Sequence, residues 1–114
     1  MDNQGKKHGL FITLEGPEGG GKTSQAKVLA ERLRQKGLVV SVTREPGGTP
    51  VSDKIRQLLI DPANRDMLPM TELLLFEASR FQHVQQLILP KLQRGEVVNK
   101  NADRVPVYIY DVGE

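Results

Sequence analysis

The sequence of 114 residues contains no cysteine and no tryptophan, and aromatic residues make up only 4% of it. Without cysteine the chain can form neither a disulfide nor a thiolate metal site, and a cysteine nucleophile is excluded. No apolar run approaches the roughly 18 residues that a membrane-spanning helix needs, and no apolar segment of a signal peptide follows the polar start, Met1–Lys7. We therefore expect a soluble, untargeted, cytoplasmic protein that binds no membrane.

The charge balance gives little reason to expect a nucleic acid partner. Lys and Arg number 16 against 14 Asp and Glu, a formal net charge of +2, and few aromatic residues are present to stack on bases. Hydrophobic residues form 38% of the chain, enough for a small core, and the length fits one domain spanning residues 1–114. A small anionic ligand is favoured over a nucleic acid polymer.

Strand and helix patterns alternate along the chain. Short apolar runs predict strands at Leu10–Leu14, at Leu38–Thr43, from Gly95 to Val98 and, after an irregular stretch from Asn99 to Pro106, at Val107–Tyr110. Helical spacing of apolar residues predicts helices at Lys22–Gln35, from Pro50 (capped by Thr49) until Asp61-Pro62 stops it, at Thr71–Arg80, and at His83–Gln93, the last kinked or shortened by Pro90. This order predicts a parallel, doubly wound α/β sheet.

A phosphate-binding loop lies between the first predicted strand and the first helix. The segment Gly16-Pro17-Glu18-Gly19-Gly20-Gly21-Lys22-Thr23 fits the pattern G-x-x-x-x-G-K-[ST]. Its glycines let backbone N–H groups surround phosphate oxygens, and Lys22 is predicted to neutralise the β- and γ-phosphates while the Thr23 hydroxyl binds Mg²⁺. We expect the three-layer α/β fold of P-loop NTPases, with an ATP site made of Gly16, Pro17, Glu18, Gly19, Gly20, Gly21, Lys22, Thr23 and Ser24.

Further segments resemble the thymidylate kinase family, whose members phosphorylate dTMP. They are Leu14-Glu15-Gly16-Pro17-Glu18-Gly19, Thr43-Arg44-Glu45-Pro46-Gly47-Gly48-Thr49, Asp53-Lys54-Ile55-Arg56, and Leu75-Phe76-Glu77-Ala78-Ser79-Arg80 followed by Gln82-His83. They stand in the family order, and the resemblance covers residues 9–98. It implies a nucleoside monophosphate kinase that transfers the γ-phosphoryl group of ATP to dTMP with Mg²⁺ and forms a homodimer. A surface helix with the apolar residues Leu73, Leu74 and Leu75 is expected to serve that contact.

The resemblance implies roles for residues whose chemistry fits them. Glu18, otherwise a solvated loop carboxylate, would hold the dTMP sugar, and Arg56, otherwise a solvent-facing helix residue, would bind the dTMP phosphate bidentately. Phe76 and Arg80, four residues apart on one helix face, would stack on thymine and hydrogen-bond to its edge, although Phe76 alone fits a core position as well. Pro46 and the two glycines after it let the backbone approach the acceptor.

Five neighbouring residues have less specific interpretations. Arg44 and Glu45 either form an internal ion pair that shapes their loop or contact a ligand. Asp53 is a first-turn helix acid. Gln82 and His83 are interpreted as structural or peripheral, because a lone histidine is a poor signal for a metal or catalytic site.

The sequence departs from the family pattern after the third predicted strand. The family has an Asp-Arg-Tyr/His/Phe motif almost directly after Val-Val, whereas here Asp103-Arg104 comes later and precedes Val105. We assign Asp103 to the metal and Arg104 to the acceptor phosphate, with Arg104 and Lys22 as the catalytic residues. The family's lid, with its catalytic arginine, and its C-terminal helices have no counterpart in the chain, so the fold is expected to be incomplete on its C-terminal side.

Two alternatives to a working dTMP kinase stay open. In the first, the chain is a nucleotide-binding fragment or remnant that catalyses poorly. In the second, it is a different small-molecule P-loop kinase, and the pair Phe76 and Arg80 argues against that interpretation. A guanine-specific GTPase is disfavoured, because Asn99-Lys100-Asn101-Ala102-Asp103 places the aspartate one residue late for an Asn-Lys-x-Asp motif.

Overall fold

The computed structural model describes residues 9–15 and 21–102, which form a three-stranded parallel sheet with helices on both faces. The strands are β1 (Leu10–Glu15), β2 (Val40–Glu45) and β3 (Val97–Ala102), and β3 lies between the other two. Parallel neighbours need long crossover connections, which the intervening helices supply. The predicted α/β fold with a parallel sheet is confirmed.

The two faces of β3 bury different groups of apolar side chains. Val97 packs with Ala30 of helix α1 (Lys22–Gln35) on one face, together with Val40, Ile12 and Leu33. Val98 is fully buried on the other face, where it packs with Val84, Ile88 and Leu92. Successive strand residues point to opposite faces, so two adjacent valines serve two cores.

The first two predicted helices are confirmed. Helix α1 has the predicted bounds, and α2 spans Pro50–Ile60 before a 3₁₀ turn over Pro62–Asn64. The backbone N–H of Ser52 donates to Thr49 Oγ1 at 3.1 Å, which is the predicted N-cap bond.

The prediction of two separate helices over residues 71–93 is wrong, because the helical backbone there is continuous. Helix α3 (Pro69–His83) leads into a π-helical turn (Val84–Ile88) and then into α4 (Leu89–Gln93). The N–H of Leu89 donates to the carbonyl of Val84, five residues back. Pro90 lacks an N–H and its ring crowds the preceding turn, and the wider turn before it accommodates the ring without ending the helix.

The predicted bounds of two strands are also wrong. Strand β2 begins two residues later than predicted, because the side chains of Leu38 and Val39 are exposed before it, and it continues through Glu45. Strand β3 continues through Ala102 instead of becoming irregular at Asn99, because it pairs with both neighbours along its whole length. The predicted fourth strand, Val107–Tyr110, lies outside the described residues.

We expect Asn99→Val to stabilise the fold by about 1 to 3 kcal/mol, because a buried polar group without a partner costs that much. Asn99 is fully buried in β3 opposite Ile12 and Val42, and among the described residues neither its amide nitrogen nor its amide oxygen has a hydrogen-bond partner. Valine also suits a central parallel strand. Urea unfolding measures the change. Asn99→Asp is the matched control and is expected to destabilise the fold. Destabilisation by both variants would contradict the prediction.

Candidate active site

The described part of the predicted phosphate-binding motif is Gly21 and the start of α1. Gly21 precedes the helix with φ of +86°, a left-handed conformation suited to glycine, and its carbonyl accepts from the N–H of Gln25 at 3.0 Å. The first turn carries no acidic residue, so nothing there opposes the partial positive charge of the helix N-terminus. Lys22, Thr23 and an exposed Ser24 follow directly. Residues Gly16, Pro17, Glu18, Gly19 and Gly20 lie outside the described residues.

A buried ionic cluster lies where β2 ends, on the face of the sheet covered by α3. The Glu45 carboxylate is 1% exposed, and its Oε1 accepts from Arg80 Nε at 2.8 Å and from Lys100 Nζ at 3.0 Å. Arg80 Nη2 lies 2.6 Å from the same oxygen, and Arg80 is 4% exposed. Lys100 Nζ also lies 5.5 Å from the centre of the Phe11 ring. A carboxylate from β2 thus joins cations from α3 and β3.

The Glu45 carboxyl stays ionised despite its burial. Burial alone would raise its pKa, but the polar contact with His83, the hydrogen bond from Arg80 and the charges of Lys100 and Arg80 outweigh that effect and lower the pKa to about 2. Of the two interpretations left open for Glu45, the internal ion pair is therefore present, but its partner is Arg80 and not the adjacent Arg44.

The segment Glu45–Gly48, which we call the cis-proline loop, connects β2 to the cap of α2 and contains a cis peptide bond before Pro46. The Pro46 carbonyl accepts from Arg56 Nη1 at 3.1 Å, so these two predicted site residues lie together. The Gly47 N–H donates to Ser79 Oγ at 3.2 Å, and the Gly48 N–H donates to Asp53 Oδ1 at 3.0 Å. The backbone of this loop is therefore fixed from both α2 and α3.

Two further polar contacts join the elements around the loop. Ser52 Oγ donates to the Ser79 carbonyl at 2.7 Å, which ties α2 to α3. His83 is fully buried and lies 2.7 Å from Thr43 Oγ1 through Nε2, in agreement with its structural interpretation. Phe76 is half-buried on α3, one turn before Arg80.

Gly48→Ala is expected to destabilise the fold by about 2 to 5 kcal/mol, since φ at Gly48 is +108° and a Cβ there would overlap the His83 imidazole. Gly37→Ala is the matched control. Gly37 has φ of +87° but nothing within 4 Å of an added Cβ, so backbone strain of about 1 kcal/mol is its whole expected cost. Thermal or urea unfolding of both variants tests this, and equal losses would show that the overlap is relieved without cost.

The sequence matches the family model described as "Thymidylate kinase" over residues 14–100. The chain belongs to the thymidylate kinase family. A thymidylate kinase of Ectopseudomonas mendocina is 53% identical over 105 residues, which are 92% of this chain and 50% of that protein. One from Citrifermentans bemidjiense is 56% identical over 90 residues, 79% of this chain and 40% of that protein. The chain thus spans about half the length of the curated relatives it matches.

A solved thymidylate kinase structure from Ehrlichia chaffeensis has the same fold. It aligns with a TM-score of 0.72 and 38% identity, covering 86% of this chain and 54% of that structure. The region matched by the thymidylate kinase model runs from the end of β1 through most of β3, and includes the phosphate-binding motif, the cis-proline loop and the ionic cluster. Asp103 and Arg104 follow that region and lie outside the described residues.

Sequence reasoning did not find Lys100 as a member of the cluster. It lies between two asparagines, in a stretch predicted to be irregular, and no local pattern distinguishes it from a solvated lysine. Glu45 and Lys100 are separated by 55 positions in the sequence and meet only because β2 and β3 are adjacent.

Proposed function

We propose that this chain carries the donor and acceptor sites of a kinase that transfers the γ-phosphoryl group of ATP to dTMP to give dTDP. The observation that supports it most is the placement of two loops. In a parallel sheet the carboxyl ends of β1 and β2 lie at one edge, the edge at which open α/β sheets bind ligands. The phosphate-binding motif follows β1, and the cis-proline loop follows β2.

On the donor side, the ATP phosphates bind the loop from Gly16 to Gly21 and the first residues of α1, with Lys22 as the catalytic cation. The donors available for Mg²⁺ are the Thr23 hydroxyl, the Asp103 carboxylate and the phosphates, all oxygen atoms of the type that Mg²⁺ prefers. When bound, Mg²⁺ neutralises charge that develops on the transferring group. The acceptor phosphate is largely ionised at pH 7, so the protein need not supply a general base.

On the acceptor side, Arg56 binds the dTMP phosphate. Its bond to the Pro46 carbonyl holds one nitrogen at the cis-proline loop, so the guanidinium is oriented before the acceptor arrives. Glu45 orients Arg80 in the same way. Arg80 hydrogen-bonds to the edge of thymine, and Phe76 stacks on its ring. Glu18 holds the sugar, and Arg104 adds a second cation for the acceptor phosphate.

We further propose a cytoplasmic homodimer with no nucleic acid or membrane partner. Large apolar side chains are exposed along α2 and α3 and the segment between them, among them Leu58, Ile60, Leu68, Met70 and Leu74. Such a surface favours burial against a second copy. No helix in the described part of the chain is long and apolar enough to cross a membrane.

The test is an assay of ADP formation with ATP, Mg²⁺ and dTMP, on protein whose intact mass agrees with 12.7 kDa. We expect ADP formation that depends on dTMP and stops when EDTA removes Mg²⁺. AMP and dCMP in place of dTMP control for a kinase of different specificity. A thermal shift with each nucleotide completes the test, since a protein that binds ATP and dTMP without turnover is a nucleotide-binding fragment.

A further inference from the structure

We propose that His83 is a positioning residue, whose imidazole holds the cis-proline loop against β2 and thereby sets Pro46 and Arg56 for the acceptor. The proposal rests on the proposed function for what the loop binds, whereas the placement of the loop can be measured without any ligand. His83 lies on the last turn of α3, fully buried, and the phosphate-binding motif does not include it.

The imidazole contacts the sheet through both of its nitrogens. Nε2 lies 2.7 Å from the hydroxyl of Thr43, within β2, and Nδ1 lies 3.5 Å from Glu45 Oε2, where β2 ends and the loop begins. Within residues 9–15 and 21–102, neither Nδ1 nor Oε2 has a hydrogen-bond partner at shorter range. A single ring therefore bridges two strand positions whose side chains point to the same face.

A third contact connects the ring to the loop itself. Gly48 lies so close to the imidazole that a Cβ there would overlap Nε2, Cδ2 and Cε1. The ring thus fills the space directly beneath the loop backbone. A side chain at position 83 that does not place a polar group near the position of Nε2 would leave Gly48 without that support.

A ring with its proton on Nδ1 fits both contacts. A proton on Nδ1 points at the Glu45 carboxylate, and Nε2 then accepts from the Thr43 hydroxyl. The opposite tautomer would turn the lone pair of Nδ1 toward a carboxylate oxygen. The Glu45 charge favours the proton on Nδ1, which leaves Nε2 to accept from Thr43, and the ionic cluster and the loop support act together.

The supported backbone is the part that meets Arg56. The Pro46 carbonyl accepts from Arg56, and the N–H groups of Gly47 and Gly48 are bonded to Ser79 and Asp53. If the loop shifts, the carbonyl that orients Arg56 shifts with it. The same change leaves α1 in place, because α1 packs on the opposite face of the sheet.

The first experiment is amide hydrogen exchange on His83→Leu and Thr43→Val. We expect exchange at Gly47 and Gly48 to accelerate about five- to tenfold, the factor that loss of one hydrogen bond gives, while the amides of α1 around Ala30 keep their rates. His83→Gln, whose amide reaches as far as Nε2, is expected to restore most of the protection. Equal acceleration in the loop and in α1 would mean global destabilisation and would overturn the proposal.

The second experiment measures the dissociation constants of dTMP and ATP for the same variants. Wild-type protein that binds dTMP should lose about tenfold in dTMP affinity on His83→Leu and keep its affinity for ATP, with partial rescue by His83→Gln. Unchanged dTMP affinity in His83→Leu overturns the positioning role. If wild-type protein does not bind dTMP, the proposed function fails for this chain, and the exchange rates alone decide the role of His83.

Discussion

Glu45→Gln is expected to destabilise the fold by about 3 to 5 kcal/mol, the cost of removing one partner from a buried ion pair. The neutral amide would leave Arg80 and Lys100, at most a few per cent exposed, without the carboxylate that both contact within 3.0 Å. The loss comes from the missing negative charge and not from lost volume, because glutamine has nearly the same shape. Urea unfolding, followed by circular dichroism, measures it.

The matched control for this variant is Glu96→Gln. Glu96 also contacts two cations, with Arg94 Nε at 2.8 Å and Lys91 Nζ at 3.7 Å, but its side chain is 17% exposed and that of Arg94 is 56% exposed. Solvent screens such exposed pairs, so the control should change stability far less than Glu45→Gln does. Equal losses in the two variants would show that burial does not determine the strength of the Glu45 cluster.

The free energy of unfolding at acidic pH should depend on the same cluster. The pKa of Glu45 is lowered to about 2 in the folded protein from its ordinary value of 4.5. Its contribution to the free energy of unfolding is therefore complete above pH 4.5 and is lost as the pH falls toward 2. The shift corresponds to about 3 kcal/mol. Other carboxyl groups titrate in this range, and the difference between the wild-type protein and Glu45→Gln isolates Glu45. Parallel curves for the two proteins would contradict the assignment.

The sequence predicts those elements whose determining residues are close together in the chain. The glycine-rich loop before α1, the Thr49 cap of α2 and the apolar spacing of both helices each occupy a few consecutive residues. In the described part of the chain the structure contains the Thr49 cap and both helices. The order of strands and helices was then enough to predict a parallel sheet, because a helix between strands permits little else.

The elements that were missed depend on partners far away in the sequence. Asn99, Lys100 and Asn101 lack the apolar character of a buried strand. They nevertheless form part of β3, because they pair with β1 on one side and β2 on the other. As a result, the buried side-chain amide of Asn99 has no hydrogen-bond partner in the described part of the chain. Arg80 was assigned to a ligand alone because Glu45, which lies 35 positions earlier, contacts it only after α3 has packed on the sheet.

Lys22→Ala is expected to lower the rate of phosphoryl transfer about 10²- to 10³-fold, the effect of removing one group that stabilises charge in a transition state. The prediction rests on the proposed transfer, in which Lys22 neutralises charge on the β- and γ-phosphates. The ADP assay measures it. Weaker binding of a fluorescent ATP analogue is expected as well, because the same cation contacts the bound nucleotide.

Lys27→Ala provides the control, because Lys27 has the same charge, lies on the same helix and is exposed five residues further on. Loss of one charge from α1 is then common to both variants, and only the position differs. Turnover that survives Lys22→Ala, or that falls equally in Lys27→Ala, would place the catalytic cation elsewhere. Arg104 is the next residue to test in that case, since it is the other residue proposed as catalytic.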